Sequence, residues 1–310
     1  MITNLLNIKY PMIQGGMANI SNGVFAGKMS NEGILGSIGS AAMNAEQLEK
    51  EILDAKNTTD NPFAVNIMLM NPHCDELVEV VIKQKVKVVT TGAGNPEKYM
   101  EKLKSAGVIV IPVVPSVSLA KRVERSGADA IVVEGTEAGG HIGELTTMAI
   151  VPQVVDSVNI PVIAAGGIAD ARQVLAAFAL GASGVQAGTI FLASIECPIH
   201  QNYKESLIKA KDTDTVVTGR ITGVPVRIIK NKMARTYISM EKQGKTKEDL
   251  EHFTLGSLRK AVFDGNVDDG SVMAGQVAGM IEEIKPAKQI IKEMFDNLPL
   301  YIKKLEILNI

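Results

Sequence analysis

An α/β architecture of eight parallel strands alternating with helices, closed into a (β/α)8 barrel, is the fold class this sequence predicts. Three observations predict it. Short apolar runs alternate with segments of helical periodicity at a steady interval through about residue 195. The helical segments stop at Gly33, Gly107, Gly127 and Gly181, each just past the last periodic residue, where a left-handed cap is needed. The stretch Pro161 to Ser194 reads strand, glycine turn, helix, strand, glycine turn, so two neighbouring strands end in Gly166-Gly167 and Gly188-Thr189. Strand ends of this kind present bare N–H groups, and in a TIM barrel the loops after the seventh and eighth strands are where phosphate sites lie. An open doubly wound sheet shares the alternation, but no GxGxxG follows the first strand.

In order, the strands are expected at Pro11–Gln14, Ile34–Ile38, Phe63–Ile67, Val86–Thr90, Ile109–Val113, Ala130–Val133, Val162–Ala165 and Gly184–Ala187. Most are apolar on both faces, as buried parallel strands are. The helices between them are expected at Asn22–Asn31, Ala45–Asn57, Cys74–Lys83, Glu97–Ala106, Ser118–Ser126, Ala149–Val158 and Asp170–Leu180. Ser118 and Asp170 are placed to cap the free amides of their helices. After Ser194 the rhythm is lost. A polar helix, Asn202–Ala210, precedes the β-rich stretch TVVTGRITGVPVRIIKNKMAR and a charged helix, Thr246–Phe263. These residues form a smaller lobe inserted after strand eight. The chain returns through Ser271–Gln276, a helix to Ile284 and a last helix, Ala287–Leu308, which divides it into 1–195, 196–270 and 271–310.

Composition narrows the function. With 46% apolar residues but only 4% aromatic and no Trp, the core must be built from Val, Ile, Leu, Ala and Met. A net charge of -2 gives no reason to expect nucleic acid. Cys74 and Cys197 provide neither a disulfide framework nor a metal-ligand cluster, and they suit a reducing compartment. The start MITNLLNIKYPMIQGG lacks the pattern of a signal peptide, and no charge-free apolar run reaches the ~18 residues of a membrane span. A soluble cytoplasmic protein is expected, with no nucleic-acid or membrane partner.

Barrels keep their chemistry where strands end. The first strand leads into Gln14-Gly15-Gly16-Met17, whose glycines let a flat ligand approach the backbone. The third ends near Asn66, the fourth at Thr90-Thr91-Gly92-Ala93-Gly94. The sixth opens the longest loop, Glu134 to Glu144, where four glycines surround His141. An imidazole there is poised to titrate near neutral pH. His73, His200 and His252 lie at helix starts or in the lobe. The chain has no G-x-S-x-G, HExxH or GxxxxGK[ST], and no strand-end lysine for a Schiff base. The hard chemistry would come from a cofactor. Flavin mononucleotide (FMN) suits the layout, with its phosphate at Gly167 and Gly188 and its ring across the strand ends.

QGGMA at 14–18, NIML at 66–69, EAGGHIGELTTM at 137–148, AAGGIADAR at 164–172 and QAGTIFLAS at 186–194 resemble the flavin-dependent enoyl-[acyl-carrier-protein] reductase II family, close relatives of the nitronate monooxygenases. YKESLIKAKDTDT and DDGSVMAGQVAGMI extend the resemblance over nearly the whole chain. It implies one FMN, contacted by the backbone at Gly16 and Met17 and by Asn66, Glu134 and Gly139. Gly166, Gly167, Gln186, Ala187, Gly188 and Thr189 would take the phosphate, and His141 matches the active-site histidine. It further implies NADH or NADPH as hydride source and a trans-2-enoyl thioester on acyl carrier protein as acceptor, in the last step of bacterial type II fatty acid elongation. A monovalent cation held by backbone carbonyls and a homodimer are also implied. The alternative is an FMN-dependent nitronate monooxygenase. Those enzymes more often carry Arg after the histidine and Gln at the position of Glu134, so HIGELTTM favours the reductase. The stretch ISNGVFAGKMSNEGILGSIGSAAMN departs from the family pattern. An acidic carrier calls for a basic surface, and Arg220, Arg227, Lys230, Lys232 and Arg235, with no acid among them, are the candidate.

Overall fold

A computed structural model describes residues 2–306. From the start the elements are α1 (Ile2–Leu6), β1 (Met12–Gln14), α2 (Gly23–Asn31), β2 (Gly36–Gly39), α3 (Ala45–Thr58), β3 (Phe63–Met68), α4 (Cys74–Lys83) and β4 (Val88–Gly92). Next come α5 (Glu97–Ser105), β5 (Ile109–Val114), α6 (Val117–Arg125), β6 (Ile131–Glu134), β7 (Gly140–His141), α7 (Thr147–Val155), β8 (Val162–Ala165), α8 (Ala171–Ala179) and β9 (Gly184–Ala187). Eight of these strands pair in parallel in the order β1-β9-β8-β6-β5-β4-β3-β2. The ring closes between β1 and β2, where Leu35 N–H donates to Met12 O and Gln14 N–H donates to Leu35 O, both at 2.9 Å. The fold is the expected (β/α)8 TIM barrel.

Two apolar layers hold it. Ile13, Leu35, Val88, Ile111, Val132 and Ile163 point inward and are buried, with Ile2 and Leu6 of α1 packed among them. Alternate residues of the same strands, such as Val65, Val89, Val110, Ile131 and Val133, point outward against the helices. Strands apolar on both faces therefore read as short unbroken runs. The four capping glycines all have left-handed backbone, with φ of +86°, +72°, +96° and +92° at Gly33, Gly107, Gly127 and Gly181.

The remaining elements are α9 (Thr189–Leu192), α10 (Gln201–Lys209), β10 (Thr215–Thr218), β11 (Val226–Ile229), α11 (Lys232–Lys242), α12 (Lys247–Thr254), α13 (Ser257–Phe263), a 3-10 turn at Gln276–Met280, α14 (Ala287–Asp296) and α15 (Leu298–Leu305). β10, β11 and β7 form an antiparallel three-stranded sheet. Ile228, Met233, Ala234, Tyr237 and Leu250 give this region a small core of its own, whereas Tyr203 and Leu207 of α10 and Val262 of α13 join the barrel's outer layer. Among the described residues, no helix is long and apolar enough to cross a membrane.

Several local expectations need correction. The cap of α6 is Ser116, whose extended backbone lets its hydroxyl accept from Leu119 N–H; Ser118 lies inside the first turn. The charged segment 246–263 is two helices, because Gly256 adopts φ +74° between them. The segment after Gln276 makes only a 3-10 turn, and the last helix breaks at Asn297. Leu308, its expected end, lies outside the described residues.

Candidate active site

The C-terminal ends of the strands surround a cavity of about 550 Å3, within the range of roughly 300–1,000 Å3 typical of small-molecule sites. All twelve residues singled out from the sequence line it. Gly16 and Met17 come from the end of β1, Asn66 from β3, and Glu134, Gly139 and His141 from the β6 exit. Gly166 and Gly167 follow β8, Gln186 and Ala187 end β9, and Gly188 and Thr189 follow it. Chain ends far apart in sequence are brought onto one rim because parallel strands all finish on the same side.

Each part has a local cause. Gln14 is fully buried; its amide donates to Ser21 Oγ at 2.9 Å and its carbonyl accepts from Ser37 N–H at 3.0 Å, which fixes the β1 exit. Gly16 must be glycine because an added Cβ would collide with the Asn66 side chain. Asn66 donates through Nδ2 to Thr90 Oγ1 at 2.9 Å, so neighbouring strand ends lock its amide.

At the β8 and β9 ends, Gly166 and Gly167 sit in succession at φ +92° and +74°. Among the described residues, the N–H groups of Gly166, Gly167, Ile168 and Gly188 donate to no backbone acceptor. Free amides converging from two adjacent strands form an anion nest. Among the described residues, no Lys or Arg lines the cavity. The nest is therefore the feature of the cavity that fits a phosphate group.

The loop after β6 is held from three sides. Glu137 accepts from the N–H and hydroxyl of Thr147, each at 3.0 Å, and its own carbonyl accepts from Gln276 N–H at 2.9 Å. Gly139 packs so closely on Ala274 and Gly275 that a Cβ would lie 2.6 Å from Ala274 C. Thr189 Oγ1 accepts from Gly275 N–H at 2.9 Å, which ties the same returning segment to the β9 exit. From the third side, β7 pairs with β11, setting His141 opposite Val226 and Gly140 opposite Arg227. Arg227 is buried, and its Nε and Nη2 both donate to Thr136 O, at 3.1 and 3.0 Å.

Glu134, Glu137 and His141 are the titratable residues among the cavity lining. Glu134 has neither an ion pair nor a side-chain hydrogen bond among the described residues, and burial pushes its carboxyl up to about 7. The residue keeps partial access to water through the cavity. His141 is exposed at the mouth, yet the surrounding walls remove enough water to hold its imidazole below the ordinary value. At neutral pH it is an uncharged ring with one N–H to donate. Among the described residues no cluster of His, Cys, Asp and Glu could hold a metal ion.

Sequence reading did not single out Glu137, Arg227 or the return segment at 273–276 as parts of the site. An acid inside a glycine-rich loop was the available signal for Glu137, and the motif DDGSVMAGQVAGMI for the return segment; Arg227 had none, since its contacts are made far along the chain. Of the basic stretch, Arg227 is withdrawn from the surface while Arg220, Lys230, Lys232 and Arg235 stay exposed. Arg220 pairs with Glu144 at 2.6 Å, Arg227 is buried, Lys230 donates to Thr213 O at 2.5 Å and Lys232 pairs with Asp269 at 2.9 Å.

A TIM barrel whose strand ends combine an anion nest with a largely apolar cavity and one neutral imidazole fits a phosphate-bearing cofactor such as a flavin. Comparison with known proteins narrows this. The nitronate monooxygenase family model matches residues 1–77 and 71–297, and the chain belongs to that family. It is 34% identical to a probable nitronate monooxygenase of Staphylococcus saprophyticus, over 91% of this chain and 93% of that one. It is 31% identical to (3aS,4S,5R,7aS)-5-hydroxy-7a-methyl-1-oxo-octahydro-1H-indene-4-carboxyl-CoA dehydrogenase of Mycobacterium tuberculosis, over 94% of each. Among solved structures, FabK from Thermotoga maritima superposes with a TM-score of 0.96 at 51% identity, covering 98% of this chain and 97% of that one. The nitroalkane oxidase of Streptomyces ansochromogenes superposes with a TM-score of 0.88 at 26% identity, covering 98% and 99%.

Proposed function

We propose that the chain is an NAD(P)H-dependent, FMN-containing enoyl-[acyl-carrier-protein] reductase. The observation that supports this most is the likeness to FabK, at 51% identity over 98% of the chain, which joins the motif resemblance to the enoyl reductase II family. The Mycobacterium relative is named for a carboxyl-CoA substrate, itself a thioester, which supports a thioester acceptor here.

The residues present fit the cofactor. Gly166, Gly167, Gln186, Ala187, Gly188 and Thr189 would hold its phosphate; Gly16, Met17, Asn66, Glu134 and Gly139 would face the rest. FMN, when bound, supplies hydride transfer between a reduced nicotinamide and the electron-poor C=C of the enoyl thioester. The chain supplies the setting. Reduction of the double bond adds one hydride at Cβ and one proton at Cα, and negative charge gathers on the thioester oxygen between the two events. A neutral His141 donates its N–H toward that oxygen, where a preformed donor stabilises the transition state more than the ground state. The apolar walls of the cavity keep water away from the hydride.

The test uses the purified protein with FMN. Under anaerobic conditions NADH or NADPH should bleach the flavin absorbance, and a crotonyl thioester should restore it. Failure of the thioester to restore it, with consumption of an alkyl nitronate in air without nicotinamide, would replace the reductase by the nitronate monooxygenase. His141→Ala should keep FMN and lose enoyl reduction by about a hundredfold, the scale of one lost transition-state donor; full activity in that variant would remove His141 from the reaction.

A further inference from the structure

Of the glycines that line the cavity, Gly92 alone combines ordinary backbone with open space where a side chain would stand. Gly139 and Gly143 are pressed against Ala274 and Pro115, where a Cβ would stand 2.6 and 2.9 Å from the nearest atom. Gly94, Gly140, Gly166 and Gly167 have φ between +74° and +153°. Gly92 has neither constraint: its φ is ordinary, and a Cβ built on it meets nothing within 4 Å. It closes β4, lines the cavity and pairs with Met68 at the end of β3. In the strand order β1-β9-β8-β6-β5-β4-β3-β2, the β3/β4 edge lies across the ring from the β8/β9 edge that carries the amide nest. Met68, Ala93, Val113, Pro115 and Leu119, which line the cavity from the end of β3 to the first turns of α6, carry no polar side chain, and Asn66 is the polar residue on that arc. Strand-end room bordered mostly by alkyl groups suits a chain that forms no hydrogen bonds.

We infer that Gly92 is a specificity-determining residue, its missing side chain leaving room for the acyl chain of the thioester substrate. This rests on the proposed enoyl reductase function and deepens it. The size of the residue at 92 then sets how long a chain the site accepts, because a branched side chain there occupies the volume of several methylenes.

The experiment compares wild type, Gly92→Ala and Gly92→Leu, each loaded with FMN. Calorimetry gives the affinity for saturated butanoyl, octanoyl and dodecanoyl thioesters, and kinetics give kcat/KM for the matching enoyl thioesters. Gly92→Leu should keep the flavin spectrum and the four-carbon affinity within about twofold, and lose about tenfold or more for the two longer chains. Gly92→Ala should fall between. Equal loss at all lengths, no loss at any length, or release of FMN by either variant would overturn the inference, the last by giving that space to the cofactor. If wild type binds the saturated thioesters but reduces none of the enoyl ones, the reductase reading fails, while the length dependence of binding still decides Gly92.

Discussion

Glu134 shows how much one side chain can couple the cavity to pH. Its carboxyl is raised to about 7 by burial with no compensating cation. A group raised in the folded state above its unfolded value of 4.5 stabilises the fold fully only below that value, and the advantage is lost as pH rises toward 7. The loss amounts to at most about 3 kcal/mol, reduced by the water that reaches the residue. Glu134→Gln removes the ionisation, so the cofactor-free variant should melt at a higher temperature than wild type at pH 8 and close to it at about pH 4.5. Parallel melting curves at both pH values would mean that the carboxylate is solvated. The sequence placed Glu134 at a strand end but gave no view of its partners, because that depends on what every neighbouring strand does not contribute.

Legibility differs sharply between elements. The barrel strands could be read because each is buried on both faces, and β8 and β9 match their expected bounds to the residue. β7 could not be read. It has two residues, Gly140–His141, and exists only because β11 arrives to pair with it. Ser118 was mistaken for a cap because Ser116 and Ser118 offer the same chemistry two residues apart, and only the backbone at Ser116 is extended. The β7–β11 pairing carries a prediction. Arg227→Met leaves Thr136 O without its two donors. An unpaired carbonyl of this kind costs about 1–3 kcal/mol, so the melting temperature should fall. Because β11 also pairs with His141, kcat should fall about tenfold while FMN, whose phosphate the β8 and β9 ends would hold, stays bound as in wild type. Arg227→Lys, which restores one donor but not the fork, should recover part of both. An unchanged kcat with a lowered melting temperature would confine Arg227 to stability.

The whole molecule separates stability from chemistry along the barrel axis. The cavity and every candidate site residue lie where the strands end, whereas α1 packs at the other end: the side chain of Ile2 touches Gly184, the first residue of β9. Ile2 and Leu6 are 0% and 2% exposed and share one cluster with the inward residues of the barrel, so α1 acts as the plug of the strand-start end. A barrel interior is a packed core, and truncating a residue within it leaves a cavity that its rigid walls cannot collapse around. Leu6→Ala should therefore destabilise by about 2–5 kcal/mol. Below the new transition the variant should bind FMN and turn over substrate as wild type does, because the lost contacts are those of the strand starts. Denaturant unfolding followed by far-ultraviolet signal, beside titration of FMN into the folded protein, measures the two separately. A Leu6→Ala protein of normal stability would show that α1 merely covers the barrel, and one that loses FMN affinity would show that packing at the strand starts reaches the opposite rim.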